Sequence, residues 1–266
     1  MLFRSYGDAS WIDRRRLVAE IRDPSTNWDD AVRFYFNIRS AGAGRAVDPR
    51  VWDALGRTVA VPSGAHIGIG FSGSHDVVLR GCTREGHSFL IRSWVRPTGP
   101  LLDAWLDAHP GQSDWRPDRT DVASTIAETF ARYSVGRMYA DPPKWPTEIE
   151  GWQTQYGIDV NKDPIVVALD TNQPRRFAPA VDRWLTAVRA AEHTHDNDPL
   201  TNDHVRASHL RKVRLEDDDD GRTRYVLIRG EERQHIGAAW ADVLAYEAAM
   251  TMTEPGRKKG GWAFSG

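Results

Sequence analysis

The sequence holds a single cysteine, Cys82, among 266 residues. One cysteine forms neither an internal disulfide framework nor a cysteine-ligated zinc site, so both kinds of site are excluded. No apolar run approaches the roughly 18 residues that a membrane-spanning helix needs. The first residues, MLFRSYGDASWIDRRR, also lack the apolar core of a signal peptide. We therefore expect a cytoplasmic protein that does not contact a membrane.

The chain also lacks an excess of charge of either sign. Lysine and arginine number 35 against 37 aspartate and glutamate, which gives a formal net charge of −2. No strong overall field therefore favours polyanions or membrane surfaces. Nucleic-acid binding stays open, because a basic groove is compatible with a neutral total.

Several catalytic motifs are missing as well. The sequence contains no Walker A pattern, no GxSxG and no HExxH. The glycine cluster GIGFSGS has the spacing GxGxxG, but it lies between two predicted strands and does not open a helix, so it does not fit a phosphate-cradling, dinucleotide-binding loop.

What is present is typical of a globular chain. Hydrophobic residues make up 40% and the eleven tryptophans indicate a core and grooves built with large flat side chains. The length suits one large domain, or one domain with a smaller appendage. We predict a helical segment over residues 1–60, the main domain over 61–254, and a disordered Gly/Lys-rich tail over 255–266.

The pattern of hydrophobic residues predicts a mixed sheet flanked by helices. Three strands at 66–72, 76–83 and 87–95, joined by tight turns, indicate an antiparallel meander. Further strands are predicted at 135–141 and 164–170, the latter continuously apolar as in strands buried on both faces.

A Pro/Gly-rich connection is predicted over 97–117, and a hairpin with an acidic tip at 217–220 follows later. Helices are predicted at 11–21, from 27, at 48–55, from a cap at Thr120 or Asp121, and at 147–156, 177–192, 200–210 and 237–252. A meander followed by βαβ units gives an α/β architecture of the ribonuclease-H-like order, with the 135–141 strand beside the first strand.

Asp141 is the first candidate for a functional carboxylate. It closes the strand GRMYA and precedes Pro142-Pro143, which force the chain to leave the sheet. Ligands of open α/β sheets bind at the carboxyl ends of strands, which favours a functional role. An aspartate that begins a turn before proline is also common, so both interpretations stay open.

A second polar cluster runs from His193 to His204. Asp198 is either part of a site or the N-cap before Pro199, since helix starts attract acidic side chains. The His193 and His195 pair is a weak signal for a metal site. An unrelated α/β enzyme that uses the His195/His204 region is therefore one hypothesis for this chain.

Several stretches, in the same order along the chain, resemble the nuclease half of large terminase subunits from tailed phages of actinobacteria. They are MYADPPKWPTEIEGWQTQYG, HTHDNDPLTNDHVRASHLRK and HIGAAWADVLAYEAA, following a GFxGS strand turn. The earlier RFYFNIRSAG and AVDPRVWDAL resemble the segment that joins ATPase and nuclease in that family. The likeness covers roughly residues 27 to 252, so we expect a chain without the ATPase motor.

The resemblance implies a ribonuclease-H-like nuclease in which carboxylates hold two Mg²⁺ or Mn²⁺ ions on either side of a scissile phosphate. The family places one Asp in the first strand (GFDGS), one in the ADP turn and one at the start of the last helix (IDAA). The matching catalytic positions here are Ser72, Asp141 and Gly237, of which Asp141 alone carries a carboxylate. We therefore expect the metal to bind weakly, if at all, and the nuclease to be weakened or inactive.

Two nearby carboxylates are candidates for partial replacement. Asp76 follows Ser72 by four residues across a turn, and we predict Asp76 and Asp141 as metal ligands. Asp242 follows Gly237 by five residues. Neither Asp76 nor Asp242 stands at the matching position.

The resemblance implies packaging partners and leaves two functions open. The first is metal-dependent cleavage of double-stranded DNA during genome packaging, and the alternative is a catalytically dead DNA-binding or packaging-assembly module. The predicted DNA contacts are His204, Arg206, Arg211 and Lys212, although capping or packing is an equal alternative for His204. Expected partners are double-stranded DNA and a separate terminase ATPase, portal or small terminase subunit in the bacterial host cytoplasm. A degraded prophage gene, half of a split terminase and a chain altered on purpose are equally compatible with the two missing carboxylates.

Overall fold

The computed structural model describes residues 44–73, 76–213, 223–231 and 234–253. Its strands are β1 (His66–Ser72), β2 (Val77–Thr83), β3 (His87–Trp94), β4 (Ser134–Ala140), β5 (Val166–Ala168), β6 (Thr194–His195), β7 (Ser208–Val213) and β8 (Arg224–Arg229). Its helices are α1 (Pro49–Ala54), α2 (Pro100–Ala108), α3 (Arg119–Arg132), α4 (Pro146–Tyr156), α5 (Pro174–Arg189), α6 (Pro199–Ala207) and α7 (Gly237–Thr251). In this part of the chain, no helix is long and apolar enough to cross a membrane. The predicted helices before residue 44, the acidic tip at 217–220 and the tail at 255–266 lie outside the described residues.

A six-stranded mixed sheet organises the fold, with the strand order β5-β4-β1-β2-β3-β6. The pairs β1–β2 and β2–β3 are antiparallel, and β4 runs parallel to β1. This confirms the predicted meander and the predicted place of β4 beside the first strand. The arrangement is the ribonuclease-H-like order that the sequence predicted.

The alternation of side chains along β1 separates the two faces of the sheet. Ile67, Ile69 and Phe71 are fully buried and pack in one core, which α3 and α4 cover. Gly68, Gly70 and Ser72 therefore point to the opposite face, because successive side chains of a strand alternate. A second core on that face joins α1, α5, α7 and the β7–β8 hairpin.

Helix α7 lies unusually close to β1 because the strand carries glycines where the two elements meet. A Cβ atom at Gly68 would overlap the backbone of Ala249, and one at Gly70 would overlap the carbonyl oxygen of Ala241 and the backbone nitrogen of Ala245. Glycine is therefore required at both positions of the strand for this close approach. The small residues of α7 complete the contact, since its buried face is rich in alanine.

The structure corrects several local predictions. Residues 97–117 do not form a plain connection, because α2 occupies Pro100–Ala108. The predicted helix 200–210 ends at Ala207, where Ser208 begins β7. The predicted strand 164–170 is shorter in the structure, because β5 spans Val166–Ala168 at the edge of the sheet, and Val167 and Ala168 are half-buried.

Helix caps follow the local sequence. The cap of α3 is Asp118 and not Thr120 or Asp121, and its carboxylate accepts from the Thr120 N–H at 2.8 Å. The predicted cap Asp198 is confirmed, since it accepts from the Thr201 N–H at 2.8 Å. The predicted hairpin is also confirmed, as β7 pairs antiparallel with β8.

Candidate functional site

Ser72 and Asp141 lie side by side at one end of the sheet. The parallel register of β1 and β4 pairs Phe71 with Ala140, and the Asp141 N–H donates to the Phe71 carbonyl at 2.9 Å. Phe71 and Ala140 both pack in the core under α3 and α4, so the next residue of each strand faces the opposite side. The side chains of Ser72 and Asp141 therefore share the face that α7 covers.

The first turn of α7 reaches the same place. Gly70 lies beneath Ala241 and Ala245, and a step of two residues along a strand covers about the length of four to five helical residues. Ser72 therefore points to the start of α7, which begins at Gly237. β1, β4 and α7 therefore bring together Ser72, Asp141 and Gly237, the three positions at which the resemblance predicts carboxylates.

No cation pairs with Asp141 among the residues that the structure describes. It is 1% exposed, and both of its oxygens accept hydrogen bonds from Thr171, at 2.9 Å from the backbone N–H and 3.0 Å from the hydroxyl. Burial raises the pKa of Asp141 to about 6, and the Thr171 hydrogen bonds only partly oppose this. The carboxylate is therefore positioned, but its charge is not compensated.

Asp76 and His204 form a second pair near the start of α7. The Ala238 N–H donates to His204 Nδ1 at 2.9 Å, so the ring proton of the neutral imidazole lies on Nε2. That atom is 3.6 Å from Asp76 Oδ2, while Asp76 Oδ1 accepts from the Arg96 N–H at 2.8 Å. Burial lowers the pKa of His204, although Asp76 opposes the shift. The pair thus caps α7 and leaves Asp76 engaged within the protein.

The four residues predicted to contact DNA fall into two groups. His204 is 7% exposed and committed to the start of α7. Arg206 pairs with Asp53 at 2.7 Å and with Asp203 at 3.5 Å. Arg211 and Lys212 are exposed on β7. The side chain of Arg206 is 41% exposed, so His204 is the one of the four that is withdrawn from solvent.

Sequence reasoning missed a buried charge network centred on Arg80. This arginine is fully buried in β2; its Nε lies 2.8 Å from Asp242 Oδ1 and its Nη2 lies 3.1 Å from Asp196 Oδ1. Asp242 also accepts from Ser88 at 2.5 Å and from the Trp184 indole at 2.9 Å. The one available signal was a cation in the middle of the apolar strand VVLRGCT.

Asp242 therefore does not act as a spare ligand beside Ser72. Burial by itself would raise its pKa, but His193 and Arg80 lower the pKa well below the ordinary value. Its charge is already neutralised by the protein, which leaves it unsuited to hold a metal ion.

The two buried histidines of the polar cluster have packing roles. The ring of His195 stacks on Trp52 with centroids 4.0 Å apart, and its Nε2 lies 2.9 Å from the Trp52 carbonyl oxygen. His193 Nε2 lies 3.0 Å from Asp242 Oδ2. Both rings are fully buried, so neither is presented to a ligand at the surface.

The donors at this site do not fit a pair of divalent ions. Within the described ranges, no three His, Cys, Asp or Glu side chains are grouped so that they could hold a metal. Ser72 Oγ is buried there without a hydrogen-bond partner among the described residues, and a hydroxyl does not supply the charge of a carboxylate. Mg²⁺ and Mn²⁺ prefer clusters of charged oxygen ligands, which this set does not provide.

Comparison with known proteins places the chain near phage proteins. No family model matches it. It is 26% identical over 219 residues to the Gene 13 protein of Mycobacterium phage L5, covering 75% of this chain and 35% of that protein. The chain thus spans about a third of the length of the curated relatives it matches, and a mycobacterial phage fits the predicted actinobacterial likeness.

Solved structures show the fold. The large terminase of bacteriophage HK97 aligns with a TM-score of 0.53 and 16% identity, over 84% of this chain and 47% of that chain. The large terminase nuclease from thermophilic phage G20c with bound magnesium aligns with a TM-score of 0.49 and 11% identity, over 77% of this chain and 97% of that chain. The predicted resemblance is confirmed: this chain has the ribonuclease-H-like fold found in large terminases of tailed phages.

Proposed function

We propose that this chain is a DNA-holding unit of a terminase-type genome-packaging machine, in which metal-dependent cleavage of double-stranded DNA is weak or absent. The observation that carries the proposal is the convergence of Ser72, Asp141 and Gly237 at one end of the sheet. The resemblance to large terminases implies a nuclease site at this position, and two of the three carboxylates that it implies are absent here. This supports a unit that keeps the fold of the nuclease and has lost most of its cleavage chemistry.

Burial and hydrogen bonding around Asp141 support weak metal binding. An ion at this position would meet one carboxylate whose oxygens both accept from Thr171. Asp76, the second predicted ligand, is engaged by His204 and the Arg96 N–H. Each lost ligand charge removes a large part of the attraction for a divalent ion in a partly buried site.

An exposed arginine next to this site supports DNA binding. Arg211 lies on β7 in the wall of a pocket that also includes Gly237, whereas Lys212, the next residue of the strand, is exposed on the other face of the hairpin. Arginine and lysine side chains position a duplex through its phosphates without reading its sequence. The expected partners are therefore double-stranded DNA together with a separate ATPase, portal or small terminase subunit, in the cytoplasm of a bacterial host.

The test combines cleavage and binding on the same protein. We expect calorimetry to give Mn²⁺ affinity in the millimolar range or weaker, and supercoiled plasmid to show little or no nicking in Mn²⁺. Duplex DNA should still bind, with an affinity that falls as salt rises, because phosphate contacts release counterions. Micromolar Mn²⁺ binding, or rapid nicking abolished by Asp141→Ala, would show an active nuclease. Absence of duplex binding at low salt would contradict the DNA-holding function.

A further inference from the structure

An exposed arginine stands near the end of β1, on the face of the sheet that α3 and α4 cover. Arg116 lines a shallow groove with Gly73, the residue that follows Ser72. Lys144 and Trp145, at the start of α4, line the same groove. The guanidinium of Arg116 is exposed and makes no hydrogen bond or ion pair with any described residue. A cation is therefore available on this face, next to the turn that carries Ser72.

Two further arginines stand on the other face, which α5 and the β7–β8 hairpin cover. Arg211 lies on β7 in a pocket wall that also includes Thr171 and Pro174. Arg176 follows Pro174 by two residues, in the first turn of α5. Both arginines are exposed, and the guanidinium of neither makes a hydrogen bond or ion pair with any described residue. Because Thr171 binds Asp141, these two cations lie near the end of β4.

Local helix stability does not account for the basic start of α5. The N-terminus of a helix carries positive partial charge, which favours acidic side chains and disfavours basic ones. The first turn of α5 has no acidic residue and contains both Arg175 and Arg176. Arg176 therefore adds to the positive potential at this end of the helix, and such a potential suits an anionic ligand.

The carboxylates close in sequence to these arginines, or at the end of the strand before α5, have partners within the protein. Asp114, two residues before Arg116, pairs with Arg96 at 2.9 Å. Asp118, two residues after Arg116, caps α3. Asp170, between β5 and α5, accepts from the backbone N–H two residues later at 2.8 Å. The three arginines thus keep their capacity to bind an external anion.

The spacing of the three arginines suits an extended polyanion. Arg116 lies on one face of the sheet, and Arg176 and Arg211 lie on the other. Each helical layer is about 10 Å thick, so cations at the starts of helices on the two faces stand roughly 20 Å apart. A DNA duplex rises 3.4 Å per base pair, so this span covers about six base pairs.

We propose that double-stranded DNA lies across this end of the sheet, and that Arg116, Arg176 and Arg211 contact its phosphates from both faces. The path rests on the proposed function and assigns to it the residues that hold the duplex. Guanidinium groups bind phosphates with paired hydrogen bonds and position a duplex without reading its sequence. The DNA then passes over Ser72 and Asp141.

The test measures duplex affinity as a function of salt, with EDTA present so that metal ions cannot mediate binding. The probe is a DNA duplex of 20 base pairs. Loss of one phosphate contact should weaken binding about fivefold at 0.1 M salt and reduce the slope of log K against log salt by about one. We expect this result for each of Arg116→Gln, Arg176→Gln and Arg211→Gln. A purely structural role would leave the salt slope unchanged.

The matched control is Arg189→Gln, at the opposite end of α5 from Arg176. Arg189 is exposed in the last turn of that helix. The control should change the affinity by less than about twofold and leave the salt slope unchanged. All four substitutions are at exposed positions, and thermal unfolding of each variant shows that it is folded.

The outcomes separate the path from the proposed function. Reduced slopes for Arg116→Gln and for at least one of the two variants on the other face would support the path. Reductions confined to one face, or no larger than in Arg189→Gln, would overturn the path and leave the DNA-holding function standing. Tighter binding of a single strand of the same length would overturn the duplex as the occupant. Absence of duplex binding by the wild-type chain would contradict the function and the path together.

Discussion

Asp242 and Asp141 are both buried where α7 packs against the sheet, and their surroundings shift their pKa values in opposite directions. Asp242 is surrounded by Arg80, His193, Ser88 and Trp184, and its pKa is lowered. Asp141 accepts two hydrogen bonds from one threonine and has no cationic partner within the described part of the chain, and burial raises its pKa to about 6.

The difference separates a structural carboxylate from one placed for a ligand. A buried charge whose partners all come from the protein joins elements together, and removing one partner leaves the others uncompensated. A buried carboxyl without a cation costs free energy whenever it ionises, so its position has another origin than stability. By this criterion Asp242 belongs to the framework, and Asp141 remains the candidate ligand of the proposed site.

The largest expected effect comes from removing Arg80, the centre of the buried charge network. Arg80→Met should lower the free energy of unfolding by about 3–5 kcal/mol, because Asp242 and Asp196 lose a fully buried partner. Urea denaturation at neutral pH measures the change.

The control for this prediction is Arg92→Met. Arg92 pairs with Asp121 at 3.0 Å, but its side chain is 51% exposed. We expect a loss below about 1 kcal/mol, as is usual for surface ion pairs. Equal losses of unfolding free energy in the two variants would contradict the distinction between the buried Arg80 network and a surface ion pair.

The next effect concerns the pH dependence that Asp141 imposes. The pKa of Asp141 is raised from 3.8 to about 6 in the folded state, so folding favours the protonated carboxyl. The stabilisation is full below pH 3.8 and is lost as the pH rises through 6. Relative to Asp141→Asn, the wild-type chain should therefore lose about 2–3 kcal/mol between pH 4 and pH 7.5.

Denaturation curves of both proteins across this pH range test the sign as well as the size. The asparagine amide can still accept from the Thr171 N–H and donate to its hydroxyl, so the variant should fold. Asp107→Asn, at an exposed position of α2, is the matched control and should follow the wild-type pH dependence. A difference that shrinks toward pH 7.5 would mean that Asp141 has a charged partner after all.

The smallest expected change in free energy comes from placing carboxylates at positions 72 and 237. Ser72→Asp with Gly237→Asp should raise Mn²⁺ affinity and Mn²⁺-dependent plasmid nicking at least tenfold, or about 1.4 kcal/mol. An Asp at the start of α7 is also favoured by the helix dipole, which limits the cost in stability. Each single variant should do less than the pair, since ligands of one site are not additive.

Asp141→Ala in the double variant provides the control. Nicking that survives this change would place the cleavage elsewhere, and a folded double variant without nicking would contradict the assignment of the three positions. A restored site would bring Asp141 closer to Asp242 in character, because a cation would then neutralise it.

Local patterns were sufficient to predict the frame of the fold. Alternation and turn residues gave the three-stranded meander, and Asp141 before Pro142 marked the end of β4 next to Ser72. Strand ends and helix starts depend on residues close in sequence, so their places follow from local chemistry. The cap Asp198 was predictable for the same reason.

Long-range partners were not predictable in this way. By sequence Asp242 was a candidate replacement ligand, but in the structure it pairs with Arg80, which lies 162 residues earlier in the chain. His204 looked like a phosphate contact as much as a cap, and its bond to the Ala238 N–H depends on how α6 packs on α7. The prediction for β5 was too long, because an apolar run does not show how many of its residues pair with a neighbouring strand.

The glycines beneath α7 bear on how such a site can change over time. Gly68 and Gly70 set the separation of helix and strand by contact between backbones, with no side chain between them. Residues 72 and 237 lie beyond this contact. We therefore expect the separation of helix and strand to depend on Gly68 and Gly70 and not on which residues occupy the two candidate positions, so the scaffold and its ligands are set by different parts of the sequence.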